Sequence, residues 1–365
     1  MKQSFLLLIC SYIVSCSFPH YPKKYEKLGI LTKDTIKEIK NVNSNFNKVY
    51  VQYLGCNNLL IKYKEETILF DPFFSNNRGL KAALGKIKFK EGYFKKGSWF
   101  VNRNNNSFSN INSVFISHSH YDHLLDLAYL LEKDSLPTNA LIYGDQSTKN
   151  VIKNFIKNRK FNNSENFVYN NKLKNKNWIK ISNNMRVLII PSSHAPHFRH
   201  VHFMKGHTDS MYFNNFKSST QLVKANQFKE GKTFAFIVDL LERDSVIKYR
   251  ILIKGAGCEI NEGKIEDELI EDKKIDLAIL QIASANFTNC YPQNILNQIK
   301  PEHVLLTHWE NFFNPYAPKK IKTVNATNFN YFFKKVKSVD RDLDSLKLSD
   351  KYSLPMPGTM NVYEF

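Results

Sequence analysis

Apolar and polar positions alternate in short runs along most of the chain. Tyr50 to Tyr53, Leu59 to Tyr63 and Thr67 to Phe70 are separated by Gly55-Cys56-Asn57-Asn58 and by Lys64-Glu65-Glu66. Apolar runs of this length bounded by turn residues predict three strands. Val114-Phe115-Ile116 predicts another, followed by a helix with Leu124, Leu127, Ala128 and Leu131 at helical spacing. Further strands are expected at Leu141 to Tyr143, Val187 to Ile190, Leu277 to Ile282 and Val304 to Thr307, with helices over 147–157 and 295–299. Phe234 to Asp239 and Arg250 to Ile253 suggest an antiparallel pair turning around Arg243-Asp244-Ser245, and residues 75–112 a long basic loop. Strands mixed with helices imply an α/β fold, sheets covered by helices, with residues 46–365 as one domain.

Polar side chains at the strand ends suggest chemistry at one rim. Between the strand ending at Ile116 and the helix beyond it lies Ser117-His118-Ser119-His120-Tyr121-Asp122-His123. Side chains two apart on an extended segment point the same way, so His118 and His120 can grip one metal ion. Asp122 and His123 follow at the helix start and can face the same space from another side. The bland alternative is a polar loop with solvated histidines. His194 and His308 also stand just past predicted strands.

The first residues contain Lys2 and then the apolar run from Phe5 to Val14, a pattern expected of an export signal over residues 1–15 and too short for a spanning helix. Ile13-Val14-Ser15-Cys16 resembles the lipobox of bacterial lipoproteins, which implies a lipid anchor on Cys16, a tether over 16–45 and a place in the bacterial cell envelope. Cys56, Cys258 and Cys290 then remain, an odd number that argues against a disulfide framework and suggests small buried apolar residues. The net charge of +19 invites nucleic acid or anionic lipid as partners. Abundant Lys, Asn, Ile and Phe have a compositional explanation in A/T-rich coding, and no nucleic-acid module is evident, so no nucleic-acid partner is expected. The basic piece from Lys81 to Lys96, interleaved with Phe89, Tyr93 and Phe94, leaves a membrane-facing patch open.

Four blocks in order resemble the metallo-β-lactamase fold hydrolases, in particular the branch with lactonases and N-acylphosphatidylethanolamine phospholipase D-like enzymes. They are Leu54-Gly55 with Asp71-Pro72, the His118 to His123 signature, Ser193-His194-Ala195-Pro196-His197-Phe198, and Thr307-His308-Trp309-Glu310-Asn311-Phe312-Phe313. The resemblance implies an αββα sandwich with its metal site at one edge of the sheets. It implies that His118, His120 and His194 bind a first Zn²⁺ and that Asp122, His123 and His308 bind a second. Asp71 would orient the site, with Asp122 and His197 as candidate catalytic groups, His197 donating a proton to a leaving group. Metal-activated hydroxide would attack an ester, lactone or phosphodiester in a small-molecule or lipid-like substrate.

One feature departs from that pattern. Where the family places an aspartate bridging both ions, this chain has Lys254-Gly255-Ala256-Gly257-Cys258, with no carboxylate before Glu259. Loss of a shared anion should weaken the second ion most, with Asp239 or Glu259 as the available substitutes. Two readings follow: a membrane-tethered metal-dependent hydrolase, or a degenerate relative that binds metal or a surface without turnover.

Overall fold

Alternation decides which face each early strand buries. In the computed structural model, which describes residues 22–32, 48–77, 85–103, 107–169, 177–197, 201–242, 246–258, 264–314, 321–324, 327–340 and 348–364, Val49, Val51, Tyr53, Leu59, Ile61, Ile68, Phe70 and Phe115 share one apolar cluster. The residues between them, Leu60, Leu69, Val114, Ile116 and Ile142, belong to another, beneath Leu124, Leu127, Ala128 and Leu131 of the helix Tyr121–Glu132. These strands form a seven-stranded sheet in the order Met360–Glu364, Lys48–Gly55, Asn58–Tyr63, Glu66–Phe70, Ser113–Phe115, Leu141–Gly144, Phe161–Asn163. Its first four strands are antiparallel to one another and its last four parallel.

The second sheet has eight strands, in the order Leu31–Thr32, Tyr352–Pro355, His303–Thr307, Leu277–Gln281, Val246–Lys254, Thr233–Glu242, Met185–Ser192, Ile179–Lys180. It lies against the first through a shared apolar interior, where the Phe70 and Phe115 rings stand 5.2 and 5.6 Å from that of Phe236. Leu269, Ile295, Ile299, Phe332 and Val336, from the helices Asp267–Asp272, Gln293–Ile299 and Phe329–Val339, complete this cluster. The architecture is therefore an αββα sandwich. Glu66–Phe70 and Ser113–Phe115 run parallel, as do Val246–Lys254, Leu277–Gln281 and His303–Thr307. The loops after their carboxyl ends supply the candidate site, the usual place for a crevice in an α/β sheet.

Three sequence expectations change. The stretch 75–112 is not one loop: it contains Lys86–Ile87, paired with Val223–Lys224, and the helix Glu91–Arg103. Phe89 and Phe94 are buried there, Phe89 stacked on Tyr129 at 3.6 Å and Phe94 on Phe108 at 5.6 Å, so neither ring faces a membrane. The helix expected over 147–157 is Gln146–Ile152. Within the stretch read as a tether, residues 22–32 join the domain, with Tyr25 stacked on Phe333 and Leu31–Thr32 parallel to Tyr352–Pro355. Cys16, the segment 1–15 and the Arg243-Asp244-Ser245 turn lie outside the described residues. No helix among the described residues is long and apolar enough to cross a membrane.

Candidate metal centre

A single buried carboxylate organises the loops. Asp71 follows Glu66–Phe70 with a left-handed φ of 46° and accepts four hydrogen bonds: from Ser117 N (2.7 Å), Ser117 Oγ (2.6 Å), Asn57 Nδ2 (2.7 Å) and His123 Nδ1 (2.9 Å). A buried carboxylate is tolerated when its lone pairs are filled in this way. The bond to His123 fixes that ring's tautomer and leaves Nε2 free, the arrangement by which a carboxylate orients a metal-binding imidazole. Burial works to lower the His123 pKa, but the Asp71 and Asp122 carboxylates outweigh it and raise it.

His118 and His120 emerge from the extended segment as their spacing predicts, and His194 meets them from the loop after Met185–Ser192. One ring nitrogen of each lies within 4.8 Å of the other two. His118 Nε2 and His120 Nε2 are buried and have no hydrogen-bond partner among the described residues. His194 Nδ1 is 2.6 Å from the carbonyl of Ala195, so it carries the proton and Nε2 keeps a lone pair. Desolvation, then the charges of neighbouring histidines, pushes the pKa of His118 well down; for His120, burial and then His197 bring it to about 3. Neutral imidazoles are the ligand form. Ser119 secures the loop from behind, its hydroxyl donating to Asp145 at 2.7 Å, while Asp145 also caps Gln146–Ile152 through Thr148 N at 2.8 Å. Gly231 is required at this junction: its φ is 68°, and a β-carbon there would stand 2.1 Å from Asp145 Oδ2.

Asp122 faces the other histidines. Its Oδ2 is 3.4 Å from His308 Nε2 and 3.8 Å from His123 Nε2. Burial would raise its pKa, but the charge of His123 and the hydrogen bond and charge of His308 win, leaving it ionised. His308, at φ 54°, is held by its backbone N–H donating to the Cys56 carbonyl (2.7 Å) and to Tyr53 Oη (3.1 Å). His197 stacks on His194 at 4.5 Å, and its Nδ1 accepts from Phe203 N at 3.2 Å, which makes it a neutral ring with its proton on Nε2. It is placed to donate a hydrogen bond rather than to carry a spare proton.

The six residues expected to bind metal line one rim, His123 with its ring 3.9 Å from that of His118 and 5.5 Å from that of His308, but the second close-set group of ligand atoms holds Cys56, which sequence reasoning assigned to apolar packing, and not His123. Cys56 Sγ, an Asp122 carboxylate oxygen and a His308 ring nitrogen lie within 4.8 Å of one another, all in buried residues. The turn containing Gly55-Cys56 gave no signal that the side chain points inward. Of the substitutes for the missing bridge, Asp239 is spent elsewhere, bound to Arg250 (2.6 and 2.8 Å) and Arg186 (2.8 and 2.9 Å), and Glu259 lies outside the described residues. Gly255 has no room for a carboxylate, because a β-carbon would stand 2.4 Å from Ser117 Oγ and 3.0 Å from Asn57 Nδ2. Ala256, also buried, has no group that binds metal.

Residues 66–240 match the beta-lactamase superfamily domain. The matched stretch includes His118, His120, Asp122, His123 and His194. Solved structures similar to this chain include Igni18, a metallo hydrolase from Ignicoccus hospitalis (TM-score 0.48, 15% identity, covering 87% of this chain and 99% of that one). Others are the metallo-β-lactamase fold protein YhfI from Bacillus subtilis (0.46, 14%, 87% and 99%) and an isothiocyanate hydrolase from Delia radicum gut bacteria (0.47, 10%, 87% and 100%). No curated protein matches the chain.

Proposed function

We propose that this chain is a metal-dependent hydrolase, with His118, His120 and His194 holding a first Zn²⁺ and Asp122, His123 and His308 contributing to a second. The observation that carries this reading is the pair of buried, unpartnered nitrogens on His118 and His120, converging with His194. Leaving such a group unsatisfied costs about 1–3 kcal/mol each, and two in one pocket with no partner among the described residues fit a cation between them. Three imidazoles suit Zn²⁺ and leave a coordination position open. A zinc ion held there supplies Lewis acidity and makes hydroxide available near neutral pH. The chain's own groups do the rest: Asp71 fixes His123, Asp122 keeps its negative charge toward His308, and His197, stacked on His194, is a neutral ring with its proton on Nε2.

The substrate class supported by the resemblance is an ester, lactone or phosphodiester, small or lipid-like, and the lipobox-like Cys16 supports a place on a membrane of the bacterial cell envelope. The absence of any carboxylate at Gly255-Ala256 favours a second reading, a metal-binding protein without turnover. Purified full-length chain assayed on bis(4-nitrophenyl) phosphate and on an acyl lactone separates the two. Turnover that falls at least 100-fold in His120→Ala supports the hydrolase; no turnover of either substrate by metal-loaded wild type supports the second.

A further inference from the structure

Cys56 stands where a second cation would need an anion. We propose that the Cys56 thiolate is a ligand of the second metal ion, together with Asp122 and His308; the proposal rests on the metal-centre reading above. Its sulfur and the two partner atoms lie within 4.8 Å of one another. Around one zinc, with bonds of about 2.0–2.3 Å, tetrahedral ligand atoms stand roughly 3.5 Å apart, a contraction that small rotations supply. The backbone commits the side chain to this place. Cys56 has φ 52°, the left-handed conformation taken at the two-residue turn Cys56-Asn57 between the paired Gly55 and Asn58. The conformation is fixed from both sides: the Cys56 N–H donates to the buried Glu310 carboxylate, and its carbonyl accepts from His308 N.

Charge gives the arrangement its purpose. Gly255 and Ala256 deny the second ion a shared carboxylate, and a thiolate restores one negative charge on the same ion. The thiol proton passes to solvent as the metal–sulfur bond forms, so loading releases a proton. Thiolate also sets the class of metal, favouring Zn²⁺, Co²⁺ or Fe²⁺ over Mg²⁺, Ca²⁺ or Mn²⁺.

Metal-free full-length protein in detergent, titrated with Co²⁺, tests this. The expected result is a thiolate-to-cobalt charge-transfer band in the near ultraviolet, growing with the second equivalent, lost in Cys56→Ser and kept in Cys290→Ser. Cys56→Ser should hold one cobalt after dialysis where wild type holds two. Cobalt bound with visible ligand-field bands but no sulfur band in wild type overturns the proposal while leaving the metal centre standing, as does a band that survives in Cys56→Ser. Wild type that binds no cobalt overturns both. Should Cys56→Ser not fold, the Cys258→Ser, Cys290→Ser double variant decides: a band kept there supports Cys56, and a band lost there overturns the proposal.

Discussion

His118 and His120 were legible because an extended backbone repeats every two residues, and two histidines at that spacing need only a strand to converge. Asp71 was legible by its place after a strand, though its four donors were not. Cys56 and Gly255 were hidden because their roles depend on backbone geometry that no local pattern encodes: a left-handed φ in one case, a close approach to Ser117 in the other. Asp71→Ala should strand the donors of Ser117, Asn57 and His123 in a buried place, destabilising the fold by about 3 kcal/mol or more. It should also weaken metal binding 10- to 100-fold by releasing His123, about the loss seen when such outer partners are removed. Denaturant midpoints and competitive chelation measure both, and an unchanged midpoint would contradict the role assigned to Asp71. Gly255→Asp should not fold, since Gly255 has no space for a β-carbon.

At the level of elements, the strands that form the rim were visible as apolar runs with turn residues between them. The helix Glu91–Arg103 was not, because Gly92, Gly97 and its lysines blur the periodicity, and burial of Phe94 against Phe74 and Phe108 decides the matter instead. The same region shows how helix and loop are fastened. Asp126, on the helix Tyr121–Glu132, accepts from Phe74 N (2.7 Å), Ser75 N (3.0 Å) and Ser75 Oγ (2.5 Å). Burial outweighs these bonds and raises its pKa from 3.8 to about 6. A carboxyl whose folded pKa is raised contributes stability below its unfolded pKa and loses it as pH rises through the folded one. Between pH 4 and pH 7, therefore, wild type should lose on the order of 3 kcal/mol relative to Asp126→Asn, whose amide can accept from both N–H groups and donate to Ser75. Denaturant unfolding of the metal-free proteins across that range checks the sign, and parallel curves would contradict it.

On the scale of the whole molecule, the two sheets and the order of the ligand-bearing loops followed from the strand runs and from the resemblance. The joining of the chain ends did not. Leu31–Thr32 lies beside Tyr352–Pro355, and Met360–Glu364 lies beside Lys48–Gly55, pairings that need partners more than 300 residues away. Residues 22–32 are thus packed on the domain, which shortens any link between it and a lipid on Cys16. Expressed at full length in a bacterium, wild type should enter the detergent phase on partition and Cys16→Ala the aqueous phase; equal release of both would contradict the anchor.

The central claim is that His118, His120 and His194 hold a metal ion, and metal content tests it most directly. Wild type, His118→Ala and His120→Ala, purified alike and dialysed exhaustively, are compared by elemental analysis alongside circular dichroism to confirm folding. Wild type is expected to keep at least one zinc per chain and each variant to lose it. Folded variants that both retain metal at the wild-type ratio, or a wild type that retains none when supplied with zinc, would contradict the account.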